Sequence, residues 1–204
     1  AHALLQPDVS RLRWLVEEIA ARGGRFPDSR PLRLLTAHLA GTIEWVIAEL
    51  QPSDRAAADR AVFWHELAAA MSEISPLWPS FSMGFGKTLR LASAPDPVRS
   101  RQRGKAALRG HALQVMLQAG TEHALAAAAR AAAHAAEVAD WCLEDTKAAD
   151  PRQRADAYED LVAVLDAGRG LALQASVASR TVADRLAAAG HAELAAEWRA
   201  TGGL

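Results

Sequence analysis

The chain has 204 residues and a formal net charge of −1, which fits one domain or two small ones and gives no overall attraction to nucleic acid or anionic lipid. Half of the residues are hydrophobic and only 5% are aromatic, so few large side chains are available for a core. The single cysteine, Cys142, excludes an internal disulfide and favours a reducing compartment, so we expect a cytoplasmic protein. No stretch approaches the roughly 18 consecutive apolar residues of a spanning helix, and we expect no membrane contact.

The first 75 residues predict three helices joined by short turns, which favours antiparallel neighbours. Apolar residues recur at helical spacing from Val9 to Ile19. Pro31 suits the first turn of a second helix, and Ser53 suits the N-cap of a third. We expect the second helix to be buried on two sides, because both of its faces carry large apolar groups. These are Leu32, Leu35, Leu39, Ile43, Val46, Ile47 and Leu50 on one face, and Leu34, His38 and Trp45 on the other.

Residues 76–104 differ from the segments around them because prolines and glycines, which usually interrupt helices, are mixed with large apolar side chains. We predict an ordered Pro/Gly/aromatic-rich crossover over 76–104, with a short helix around residues 87–92. It would join two halves, 1–75 and 105–204, of a single all-α domain covering 1–204. The prolines and glycines are Pro76, Pro79, Pro95, Pro97, Gly84, Gly86 and Gly104.

The second half predicts long helices. Residues 105–149 form either one helix or two helices joined near Gly120, and ten of the thirteen residues from 124 to 136 are alanine, the best helix former. Asp150 and Pro151 mark the start of another helix, whose apolar face continues through Tyr158, Leu161, Leu165 and Leu171. The fold class is therefore predicted to be all-α, a helical bundle of about seven helices.

Two neighbouring segments carry opposite charge. Residues 87–109 hold seven cations and one acid, a net +6, and residues 137–166 hold three cations and nine acids, a net −6. The pattern is consistent with two solvated faces, with docking of one segment on the other within the fold or between subunits, or with binding of phosphate or nucleic acid by residues 87–109. Nucleic acid is not favoured, because cations at alternate positions spread around a helix and no aromatic residues lie between them.

The aromatic residues of the crossover and the cations next to them are the candidate ligand-binding residues. An apolar pocket beside basic side chains suits a small molecule, although the same aromatics could equally fill the core beneath the crossover. Residues 84–88 (GFGKT) superficially resemble a phosphate loop, but the first glycine and a preceding strand are missing, so we predict a turn there. The candidates are Trp64, Trp78, Phe81, Phe85, Arg99, Arg101 and Arg103.

His134 and Glu137 are the candidate metal ligands, because residues three apart share a helix face. His111 could lie on a similar side. A helical di-metal site usually repeats a Glu-x-x-His step on facing helices, and here one reversed step stands alone, so core or surface histidines are the competing interpretation. No nucleophile motif is present; we expect no catalytic residue and no cofactor.

These patterns favour a non-enzymatic helical bundle that acts through protein–protein contacts as a homodimer, in which the alanine-rich helix supplies a close-packed seam. A contact with another protein is also open. Two alternatives remain: a small-molecule- or metal-binding helical bundle that acts as a sensor or enzyme, and nucleic-acid binding through the basic segment 87–109.

Overall fold

A computed structural model describes residues 8–71, 75–117, 121–148 and 150–201. Within these ranges the chain forms eight α-helices and no β-strand, which confirms the predicted all-α fold class. No helix in the described part of the chain combines the length and hydropathy needed to span a membrane. The helices are α1 (Val9–Gly23), α2 (Arg30–Leu50), α3 (Arg55–Ala68), α4 (Trp78–Leu91), α5 (Pro97–Leu117), α6 (Thr121–Asp145), α7 (Pro151–Ala188) and α8 (Ala192–Ala200).

Residue contacts divide the chain into two compact units, 1–103 and 104–204. In the first unit α2 packs on α1, α3 and α4, and α3 also packs on α4. In the second unit α7 packs on α6 and α8. The first unit thus extends beyond the expected half 1–75, and the predicted junction near Gly120 lies outside the described residues. The single domain over 1–204 stays a prediction.

The segment predicted as a crossover is largely helical. Helix α4 occupies 78–91, and the expected short helix at 87–92 is its C-terminal part. Its proline, Pro79, and the proline of α5, Pro97, both lie in the first turn, where the missing N–H has no helical partner and costs nothing. The prediction of a turn at residues 84–88 is wrong, because these residues lie inside α4. Gly84 faces the ring of His65.

Helix α2 buries its small side chains rather than its leucine stripe. Leu32, Leu35 and Leu39 remain 41%, 37% and 41% exposed, so the expectation that this stripe is buried is wrong for these leucines, whereas Ile47 of the same stripe is 0% exposed. The buried face carries Ala37, His38, Ala40, Gly41, Glu44, Ile47 and Ala48. Close approach of α3 explains the difference, because a Cβ on Gly41 would lie 2.7 Å from Cδ2 of His65.

Aspartate side chains cap the starts of α3 and α7. Asp54, rather than the predicted Ser53, is the N-cap of α3, and its Oδ1 accepts a hydrogen bond from the backbone N–H of Ala57 at 3.3 Å. At the start of α7, Oδ1 of Asp150 accepts from the N–H of Arg152 at 2.9 Å, as the sequence suggested. Both caps satisfy helix donors that have no partner within the helix.

In the second unit the alanine-rich helix α6 packs closely on its neighbours. Ala127, Ala131 and Ala135 are 0%, 0% and 6% exposed. Two glycines let the backbones approach: a Cβ on Gly104 would lie 2.5 Å from Cγ2 of Val138, and a Cβ on Gly168 would lie 2.9 Å from Cβ of Ala135. Much of the close-packed alanine face is therefore used inside this unit and is not available to a second subunit.

We expect opposite effects from two alanine substitutions in α7. Gly170→Ala should raise the stability of the second unit by about 1 kcal/mol, since a Cβ there meets nothing within 4 Å and alanine is the better helix former. Gly168→Ala should lower it by about 1 kcal/mol, because the contact with Ala135 exceeds the helix gain. Urea unfolding followed by circular dichroism measures both, and equal shifts in the two variants would contradict the packing described for α6 and α7.

Candidate functional site

Three of the four aromatic candidates lie in the core of the first unit. Trp78, Phe81 and Phe85 are 5%, 0% and 0% exposed. The ring centroid of Phe81 lies 5.5 Å from that of Trp78 and 6.0 Å from that of Phe85. Their burial favours the core-filling interpretation that the sequence left open, and only the fourth candidate, Trp64, lines a surface groove.

The three arginine candidates are held within the first unit. Arg101 is 1% exposed. The guanidinium carbons of Arg99 and Arg103 lie 5.5 Å and 4.6 Å from the centroid of Phe85, a cation–π geometry, and Arg99 also pairs with Glu66. Burial is the main cause that lowers the pKa of Arg103, and the nearby charge of Arg99 adds to it. Arg99 and Arg103, four positions apart, lie on the side of α5 that packs on Phe85, and Arg101 is buried, so the three arginines do not form one open cationic face.

A fully buried histidine, His65, occupies the centre of the first unit. Its ring packs against Phe81 and Phe85, with centroids 5.7 Å and 5.3 Å away. Burial lowers the pKa of His65 to about 3, and the charges of His38 and Arg103 act in the same direction. His65 is therefore neutral at physiological pH, and so is His38, whose pKa is also lowered by burial.

The hydrogen bonds of His65 define its tautomer. Oγ1 of Thr88 donates to the carbonyl oxygen of Gly84 at 2.7 Å and lies 3.3 Å from Nδ1 of His65. Since the hydroxyl proton is committed to that carbonyl, Nδ1 is the donor to Thr88, and Nε2 has no hydrogen-bond partner among the described residues. Thr88 and His65 are the residue types of a nucleophile and its general base, but they are not arranged as such a pair. The hydroxyl of Thr88 does not donate to the ring of His65, and both side chains are 0% exposed.

His134, one of the two metal candidates, meets another histidine. Its Nδ1 lies 2.8 Å from Nε2 of His111, and the ring centroids are 4.9 Å apart. Burial, together with the nearby charges of His134 and Arg130, lowers the pKa of His111 to about 4, against an opposing interaction with the side chain of Gln114. In the described parts of the chain no three His, Cys, Asp or Glu side chains come together as a metal site. The structure thus brings His134 to His111, and the role of Glu137 as a ligand stays a prediction.

The groove at Trp64, called here the Trp64 groove, lies in the first unit where α1, α2 and α3 meet. It has a volume of about 480 Å³. Its apolar wall includes Leu34, Ala37, Trp64 and Leu67, and its polar wall carries two arginines from the start of α2. The remaining lining comes from Ala20, Gly23, Gly24, Pro27, Arg30, Arg33, Thr36 and Ala70.

The most exposed apolar surface of the second unit lies on α7. Tyr158, Val162 and Leu165 are 56%, 68% and 56% exposed, and their spacing of four and three residues puts them on one helix face. The opposite face is buried, as Val164 and Leu171 show with 0% and 4% exposure. The sequence indicated an apolar face in this helix but not that α7 carries two. Assigning heptad positions from Ala155 onward would have separated the exposed apolar face from the buried one.

An ion pair joins the oppositely charged segments. Nζ of Lys105, in the basic segment, bonds Oδ1 of Asp160, in the acidic segment, within the second unit. Both side chains are partly buried, at 32% and 15% exposure, so the pair is less screened by solvent than a surface pair. This contact supports docking within the fold, one of the interpretations that the charge pattern left open.

Comparison of the chain with protein-family models, with curated proteins and with solved structures gives no match.

Proposed function

We propose that this protein is a non-enzymatic helical bundle that acts through protein–protein contacts and self-associates through α7. The observation that carries the proposal is the exposed apolar stripe of Tyr158, Val162 and Leu165. Contiguous exposed apolar side chains are costly on a monomer and mark contact surfaces. The single cysteine, Cys142, is buried and has no second cysteine in the chain to pair with, which supports the expected reducing, cytoplasmic location.

The sequence of α7 suits a parallel pair of helices. With Val162 at position a of a heptad, Tyr158 and Leu165 fall at position d. A β-branched residue at a and leucine at d favour two-stranded pairing. A shallow groove of about 540 Å³ beside the stripe, lined by Tyr158, Glu159, Val162, Ala163 and Asp166, offers space for side chains of the second copy.

Charge complementarity supports the same arrangement. In this register Arg154 occupies position g and Glu159 position e, and both side chains are exposed. In a parallel pair a g residue faces the e residue of the following heptad on the other helix. The arginine of each copy would therefore lie beside the glutamate of the other, which gives two equivalent ion pairs.

We expect Val162→Asp to weaken self-association about 100-fold, since it places a carboxylate in the apolar seam of both copies. Leu35→Asp, on the exposed stripe of α2 in the first unit, is the matched control and should leave self-association unchanged. Sedimentation equilibrium measures both. A wild-type protein that stays monomeric at micromolar concentration, or an effect confined to Leu35→Asp, would overturn the proposal.

Charge exchange tests the parallel register separately. Arg154→Glu or Glu159→Arg alone should weaken association about 5-fold, because each change replaces two attractive pairs by repulsive ones. The double variant should restore wild-type association. Residues five apart do not face each other on one helix, so recovery in the double variant reports pairing between copies. Additive losses in the double variant would exclude this register.

A further inference from the structure

The Trp64 groove combines features that the self-association of α7 does not use. Three helices form it: the end of α1, the first half of α2 and the last turns of α3. Its volume of about 480 Å³ falls within the range of about 300–1,000 Å³ typical of small-molecule pockets.

The floor of the groove exists because small residues bring α1 close to α2. A Cβ on Gly23 would lie 2.4 Å from Oγ1 of Thr36, so any larger residue would push the helices apart. Ala37 is 3% exposed, and together with Ala20 it leaves room above the floor that a larger side chain would fill. The packing of α1 on α2 thus fixes the depth of the groove.

The apolar wall comes from α3 and α2. The ring of Trp64 is held by Phe63 in an edge-to-face contact with a centroid distance of 5.6 Å. Leu67, one turn further along α3, lines the same wall and is 52% exposed. Leu34 extends the wall from α2. A flat indole and two leucines suit an aliphatic or aromatic body.

The groove also carries two cationic side chains. Arg30 and Arg33 belong to the first turn of α2, and the described residues that line the groove include no Asp or Glu. Nη2 of Arg30 reaches the carbonyl oxygen of Ala70 at 3.5 Å, which extends its side chain across the groove. Guanidinium groups bind carboxylates through two parallel hydrogen bonds. Two such groups without a neighbouring acid favour a negatively charged ligand.

We infer that the Trp64 groove binds a small amphipathic carboxylate, with the carboxylate at Arg30 and Arg33 and the apolar body against Trp64 and Leu67. The assignment rests on charge complementarity between the two arginines and the acid, and on the apolar wall that continues from them. It adds a small-molecule site in the first unit to the protein contact proposed for the second.

Decanoate and decanol are the probes that test the assignment. Titration calorimetry of the full chain should give one site for decanoate, with decanol bound at least about 10-fold more weakly because it cannot form charge-assisted bonds with the arginines. Arg33→Gln should weaken decanoate binding about 10-fold. Arg11→Gln, the same loss of charge on the exposed start of α1, is the matched control and should leave binding unchanged. No decanoate binding, or equal effects of the two variants, would overturn the assignment.

The location of the ligand has its own readout. Bromine quenches indole fluorescence on contact, so 10-bromodecanoate should quench part of the emission of the six tryptophans, and Trp64→Phe should remove that part. Leu67→Asp should weaken binding, since it places a negative charge beside the ligand, and the exposure of Leu67 makes this variant compatible with folding. Quenching that persists in Trp64→Phe, or unchanged binding in Leu67→Asp, would place the ligand elsewhere and overturn the assignment.

Discussion

Lowering the pH from 7 to 5 is expected to reduce the stability of each unit by about 2 kcal/mol. The two groups responsible are His65 in the first unit and His111 in the second, whose pKa values in the folded chain are about 3 and about 4. Both lie below the ordinary histidine value of 6.5. Well above pH 6.5 these histidines are unprotonated in both the folded and the unfolded chain, and no stability is lost.

The sign follows from which state binds the proton. Below pH 6.5 the unfolded chain takes up a proton at each histidine while the folded chain does not, so unfolding is favoured as the pH falls. The loss grows until the pH reaches the folded pKa, near 3 for His65 and near 4 for His111. Buried His38, whose pKa is also lowered, adds to the effect in the first unit.

Urea unfolding at pH 7 and pH 5 measures this loss. His65→Leu should reduce the pH dependence of the first unit by about 2 kcal/mol, whatever its stability at pH 7. His111→Leu should do the same for the second unit. Exposed His191 provides the control, and His191→Gln should retain the wild-type pH dependence. An unchanged difference between pH 7 and pH 5 in His65→Leu would show that this histidine is not the source.

Arg60→Met is expected to destabilise the first unit by about 3 kcal/mol, because it leaves a buried carboxylate without its partner. Glu44 is 4% exposed. Its Oε1 accepts from Nε of Arg60 at 2.8 Å and its Oε2 accepts from Nη2 at 3.0 Å. This two-point contact raises the pKa of Arg60, with the hydrogen bond to Glu44 as the largest cause.

A double variant distinguishes the cost of leaving Glu44 without a partner from the cost of losing the ion pair. Glu44→Met with Arg60→Met removes both charges and should recover most of the stability, since no charge then remains at the buried position of Glu44; the side chain of Arg60 is itself 45% exposed. Arg13→Met provides the comparison: it breaks a surface pair with Asp54 at 2.7 Å, whose members are 49% and 23% exposed, and should cost less than about 1 kcal/mol. Equal losses in Arg13→Met and Arg60→Met would contradict the burial argument.

The sequence predicted the helices well where local chemistry decides. The alanine-rich run, Asp150 before Pro151 and the stop at Gly23 each act through neighbouring residues, so the pattern was sufficient. It failed at residues 76–104, where prolines and glycines were interpreted as helix breakers. Pro79 and Pro97 instead lie in first turns, and Gly84 is accommodated against His65.

The candidate sites depend on contacts between different helices, which the spacing of residues in the sequence does not give. Trp64 was predicted as a ligand-binding residue together with arginines of α5, but the arginines that line its groove, Arg30 and Arg33, lie more than thirty positions earlier in the chain. His134 was paired with Glu137 on the same helix, whereas its hydrogen-bond partner, His111, belongs to α5. Contacts between helices depend on crossing geometry and side-chain size, which the linear order does not show.

The sequence by itself determined that this protein is helical, where helices α1, α2 and α7 begin, and that its charges are divided between two segments. These properties follow from backbone propensity, capping and composition, which act over a few residues. The tertiary structure decided which face of each helix is buried. Close approach at Gly41, Gly104 and Gly168 buries small side chains. The leucines of α2 and the apolar stripe of α7 remain exposed, because the faces that fit most closely pack most densely and are therefore the ones buried.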